Sequence, residues 1–209
     1  MDDAVYQYQH ARSPKELLFQ FTRCMVHFAV DDAQVKFCTR LQGKESWFLP
    51  FNKGYKDGAG NPPNPDGLMT DYLWKQVLTK DMLSRIIENY ATLVEEKDEE
   101  TGKTRYKQIF PRYHQLTAVE SLLADVKKNG VGNRYLIQHS AGSGKSNSIA
   151  WLAHQLTGLE DAQGNLLVDS VIVVTDRVVL DKQIRDTIRQ FAQTRNIIAW
   201  AEHSGDLRK

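Results

Sequence analysis

The sequence predicts an α/β protein whose C-terminal half carries a parallel sheet. Three observations lead there. The run RYLIQHSAGSGKSNSIAWLAHQL is a short apolar strand, a glycine turn and an amphipathic helical stretch, in that order. The run DSVIVVTD is apolar throughout its middle, as a strand covered on both faces is. The stretch VVLDKQIRDTIRQF after it returns to helical spacing, and IIAWA can start a third strand. Strand, helix, strand, helix, strand is the order of a parallel sheet.

Composition bounds the reading. The chain has 209 residues, 41% of them hydrophobic and 25% charged, which is ordinary for a globular protein of one or two domains. A net charge of +1 neither implies nor excludes a nucleic-acid partner. Cys24 and Cys38 have no second Cys or His at metal spacing, so they read as core thiols in a reducing compartment. No run approaches the roughly 18 to 20 apolar residues of a membrane span. The start, MDDAVYQYQH, lacks the basic and apolar regions of a signal peptide, so a cytoplasmic location is expected. No internal repeat is present.

The N-terminal part reads as α+β. Asp3 to His10 can open a helix, and RSPKELLFQF follows with Pro14 in a first-turn position. MVHFAV and QVKFCTRL are strands joined at the turn-prone pair Asp31 and Asp32. WFLPFNKGYKDGAGNPPNPDG is a long loop, rich in Gly, Pro and Asn. Apolar residues at Leu73, Val77, Leu78, Met82, Ile86 and Ile87 suit an amphipathic helical pair. VEEKDEETGKTR reads as a charged, solvated turn, and the domain boundary is placed there, giving residues 1–100 and 101–209.

The GSGKS core carries the chemistry. A phosphate cradle needs several backbone N–H groups converging on one anion, and glycines allow the chain to curl that tightly. The following helix adds its own N-terminal N–H groups and dipole. Gly142, Ser143 and Gly144 supply the turn, Lys145 a charge for the outer phosphates, and Ser146 a hydroxyl for Mg²⁺. The full signature G-x-x-x-x-G-K-[ST] has a glycine where this chain has His139. Loss of that glycine fits a motor ATPase better than a kinase or GTPase, and His139 itself reads as structural.

Two further stretches fit that reading. In IFPRYHQLTAVESLL, Gln115 can pair with both N6–H and N7 of adenine, with Arg112 and Tyr113 framing the base. In TDRVVLDKQI, Thr175 and Arg177 stand at a helix N-terminus that suits a phosphate of a DNA backbone. A surface Gln on a core helix and a capped helix with an exposed Arg are the plainer alternatives.

With these pieces in order, the chain resembles the restriction (R) subunit of type I restriction-modification enzymes. The resemblance rests on FPRYHQLTAVESLLADVKKNG, RYLIQHSAGSGKSNSIAWLAHQL and SVIVVTDRVVLDKQIRDTI, together with VHFAVDD, FLPFNKG and GAGNPPNPDG. It implies an endonuclease domain followed by two RecA-like motor domains, which pull double-stranded DNA past the complex using ATP and Mg²⁺ before cutting it. It implies modification (M) and specificity (S) subunits as partners and no membrane. Residues 1–100 would be the α+β tail of the restriction-endonuclease-like domain. Residues 101–209 would be the front of the first RecA-like domain, with its P-loop. The family's Gln-x-x-x-Tyr nuclease element fits Gln7, but its Tyr position falls on Ala11. No Glu-x-Lys strand follows a suitable Asp, and no apolar run ends in Asp-Glu. The stretch is thus expected to bind nucleotide without cutting DNA or turning ATP over at a motor's rate. A non-enzymatic remnant of a broken reading frame, or a stand-alone P-loop protein, remains the alternative.

Overall fold

The computed structural model describes residues 1–97, 102–176, 178–190, 199 and 201. It divides into two compact units, Met1–Thr117 and Ala118–Lys209.

In the first unit, α1 (Asp2–Tyr6) runs on into a π-helical turn, Gln7–Ala11. The helix expected over RSPKELLFQF is reduced to a single 3-10 turn, Leu17–Phe19. Leu17 and Leu18 both stay exposed, so no apolar face is buried to hold a longer helix. The two expected strands do form. β1 (His27–Val30) and β2 (Val35–Cys38) pair antiparallel, with Val30 opposite Val35. Asp31 Oδ1 closes their turn by accepting from the backbone N–H groups of Ala33 and Gln34, at 2.9 and 2.7 Å. A short β3 (Leu49–Pro50), which lay inside the expected loop, pairs with β2.

Aromatic rings fill this core. Phe51 meets Phe28, Phe37 and Tyr113 edge-on, with centroids 5.5 to 5.7 Å apart. The loop after β3 is ordered by two asparagines. Asn52 Oδ1 accepts from Val35 N at 2.8 Å, and buried Asn61 joins Lys53 N to the Ala33 carbonyl. The helical pair is present as a π-helical turn, Leu73–Val77, and α2 (Lys80–Asn89), capped by Thr79.

The stretch read as a charged turn is a hairpin instead. β4 (Thr92–Lys97) pairs antiparallel with β5 (Thr104–Ile109) in register from Thr92 opposite Ile109 to Lys97 opposite Thr104. Glu96 lies opposite Arg105, and Lys107 reaches Glu96 at 3.5 Å. Opposite charges across the ladder stabilise a ribbon whose sequence looks merely hydrophilic. The boundary expected near residue 100 falls between two paired strands, so the division of the chain comes later, inside α3 (Tyr113–Asn129).

The second unit holds the rest of α3, α4 (Lys145–Leu156) and α5 (Val178–Arg189). α4 packs against α5, and Ala150, Trp151 and Ile184 are buried. Among the described residues the parallel sheet expected here is not formed. Residues 134–138 and 170–175 belong to no strand, and every paired strand of the described chain is antiparallel. Leu136, Ile172 and Val174 are exposed. An apolar run marks a segment able to enter a sheet but does not supply the neighbours whose backbone it must bond. Residues 197, 198 and 200 of the third expected strand lie outside the described residues. No helix among the described residues is long and apolar enough to cross a membrane.

Candidate functional site

The glycine turn is built as its residues require. Gly142 and Gly144 have φ of +72° and +82°, in the left-handed region. A Cβ at Gly142 would meet nothing within 4 Å, so torsion rather than crowding calls for glycine there. Gly144 is the N-cap of α4, and no side chain caps that helix. The helix thus starts at a glycine with no side-chain cap, and helix N-termini are where backbone N–H groups can receive an anion. Asn147 N and Ser148 N bond the Gly144 carbonyl at 3.1 and 3.4 Å, tying turn to helix.

Lys145 lies across this turn. Its Nζ donates to the carbonyls of Ser140 at 2.8 Å and His139 at 3.1 Å. The ammonium is thus held over the loop by the chain just before it. Residue 139 enters the site through its carbonyl, which any amino acid provides, and no sequence signal marks that role. Ser143 is buried, whereas Lys145 is exposed and Ser146 is half-buried at the start of α4. The donor set is one ammonium, one hydroxyl and a run of backbone amides, which suits a triphosphate with its Mg²⁺. No three His, Cys, Asp or Glu side chains gather to hold a metal among the described residues.

The adenine-reading candidates belong to the first unit. Gln115 is 3% exposed, and its Oε1 accepts from Arg112 N at 2.9 Å. That is half of a capping box, with the third helical residue reaching back to the residue before the helix. The Tyr113 ring packs edge-on against Tyr72 at 4.9 Å and against Phe51. Burial raises the pKa of its phenol. Both side chains thus have structural work at the head of α3.

Of the two DNA-contact candidates, Thr175 lies just before α5. The Thr175 hydroxyl is 3.4 Å from Asp181 Oδ1, and Asp181 also pairs with Arg185 at 3.0 Å. Arg177 lies outside the described residues. Gln7 is exposed in the π-helical turn, with its carbonyl accepting from Arg12 N at 3.0 Å.

Residues 114–209 match the family model of the SWI2/SNF2 ATPase. The C-terminal part of the chain is therefore similar to helicase-like ATPases, and the glycine turn with α4 lies within the matched stretch. No curated protein and no solved structure matches the chain.

Proposed function

We propose that this chain holds the nucleotide-gripping front of a helicase-like, ATP-driven DNA motor. One observation carries the reading. Within the stretch that resembles SWI2/SNF2 ATPases, two left-handed glycines lead without a side-chain cap into α4 at Lys145. In this reading the amides of residues 142–145 hold the phosphates, Lys145 neutralises them, and the Ser146 hydroxyl is a ligand of Mg²⁺. Bound ATP supplies the phosphoryl group whose transfer drives a motor of this class.

The finer assignment is to the R subunit of a type I restriction-modification enzyme. It is supported by FPRYHQLTAVESLLADVKKNG, RYLIQHSAGSGKSNSIAWLAHQL and SVIVVTDRVVLDKQIRDTI, and by VHFAVDD, FLPFNKG and GAGNPPNPDG in the first unit. Double-stranded DNA is then the track, with Thr175 and Arg177 candidates for its backbone, and the M and S subunits are the partners. Gln115, Arg112 and Tyr113 are the candidates for the adenine.

Equilibrium binding of Mg·ATP to the chain and to Lys145→Ala tests the site. A charge-assisted contact is worth about 1.5–3 kcal/mol, so the variant is expected to bind roughly ten- to a hundredfold more weakly. Equal affinity overturns the reading. Phosphate release measured with and without duplex DNA tests the motor assignment, and stable co-elution with M and S subunits tests the finer one.

A further inference from the structure

The lead-in to the glycine turn is held from outside the turn. α3 ends at Asn129, and Gly130 N bonds the Val126 carbonyl at 2.9 Å with Gly130 at φ +76°. Gly132, at φ +109°, bends the chain again. The two bends bring residues 133–135 back to the side of α3, where one carboxylate collects them. Asp125 Oδ2 accepts from the Tyr135 hydroxyl at 2.6 Å and from Asn133 Nδ2 at 3.2 Å, while Oδ1 accepts from Asn129 Nδ2 at 2.7 Å. Among the described residues, the side-chain hydrogen bonds of segment 133–138 all run to Asp125. That segment joins no sheet and leads directly into residues 139 and 140. The carbonyls of His139 and Ser140 hold Lys145, and the Ser140 carbonyl also accepts from Ser143 N at 3.4 Å.

We propose that Asp125 is a positioning residue for the phosphate loop, acting through Tyr135 and Asn133 to set the approach of residues 139–140 and hence the seat of Lys145. The inference rests on the nucleotide-binding reading of that loop. The chemistry suits the task. A carboxylate is an acceptor-only group with room for several donors, and bonds to a charged acceptor are shorter and stronger than neutral ones. A cluster of Asn and Tyr donors around it fixes direction without closing a core, so the segment is guided rather than buried. The same bonds act on the carboxyl group itself: the Tyr135 hydroxyl, then Asn133 and Asn129, hold its pKa below the usual carboxylate range.

The test uses Tyr135→Phe, Asp125→Ala and the double variant, with Lys145→Ala as control. Losing the clip is expected to weaken Mg·ATP binding about three- to tenfold, the effect of one hydrogen bond. The thermal midpoint should not move, because the clip is on the surface. The double variant should bind no worse than Asp125→Ala, since both act through one contact. In Tyr135→Phe, the Asp125 carboxyl followed by NMR should titrate nearer its ordinary value. Parental affinity in both clip variants, while Lys145→Ala loses binding, overturns this inference alone. Losses that follow the thermal midpoint also overturn it. Unchanged binding in Lys145→Ala overturns the nucleotide reading and this inference with it.

Discussion

Gln115 shows how one side chain can be claimed by two tasks. Its amide has the donor and acceptor that adenine needs, but the acceptor already serves the first turn of α3 through Arg112 N. Removing a cap costs roughly 0.5–2 kcal/mol, so Gln115→Ala should lower the denaturant midpoint of the first unit. If Gln115 also reads the base, the same variant should narrow the preference for ATP over GTP. An unchanged ATP-to-GTP ratio together with lost stability would leave only the cap. Tyr72 gives a prediction in pH. It is buried, its hydroxyl donates to the Phe51 carbonyl at 2.8 Å, and burial raises its pKa well above that of a free phenol. The folded state therefore holds the proton after the unfolded chain has released it. The stability this contributes is present below the unfolded pKa of about 10 and is lost as pH rises beyond it. Alkaline denaturation of Tyr72→Phe should begin from lower stability, because the Phe51 carbonyl loses its donor, but should fall less steeply with pH. An identical pH slope in parent and variant would count against the assignment.

Between neighbouring residues and whole elements, what was legible depended on whether the signal was local. β1, β2 and their Asp31 turn were legible because alternation, a turn pair and an Asx bond all lie within a dozen residues. α4 and its glycine turn were legible for the same reason: the torsions that Gly142 and Gly144 adopt are ones only glycine takes easily. β4 and β5 were not, because VEEK and TRYKQ read as hydrophilic: Val94 of VEEK is buried, and the rest of the support is pairing across the ladder, Glu96 with the other strand included. The hold of the His139 and Ser140 carbonyls on Lys145 was equally hidden, since a backbone oxygen leaves no trace in side-chain identity. The hairpin yields a direct test. Glu96→Lys places a like charge opposite Arg105 and removes the bridge to Lys107, costing the ribbon roughly 0.2–1 kcal/mol. Amide exchange over residues 92–96 and 104–109 should quicken, while exchange in α2 stays at its parental rate. Unchanged exchange in the ribbon would show that its ladder does not depend on charge.

Across the whole molecule, the segments most suited to a sheet are the ones left outside any. Leu136 is 91% exposed, Val174 86% and Ile172 69%, each in a stretch with no strand partner among the described residues. Ser170–Thr175 reads SVIVVT, six residues without charge, proline or glycine. Such a segment carries both of the features that drive strand addition: unpaired backbone groups and β-branched side chains that identical copies can interdigitate. A chain with a net charge of only +1 has little long-range repulsion to oppose that contact. The expected outcome is concentration-dependent association, seen in sedimentation velocity as a weight-average coefficient that rises with loading. Val174→Lys should suppress it, because a charge within the segment must be desolvated and brought beside its own copy in every added strand. Leu136→Lys tests the other segment separately, and its effect relative to Val174→Lys identifies which stretch leads. Far-UV circular dichroism of both variants should match the parent, since neither side chain is buried. A parent that sediments as a single monomeric species over the whole concentration range would show that these segments find partners within the chain.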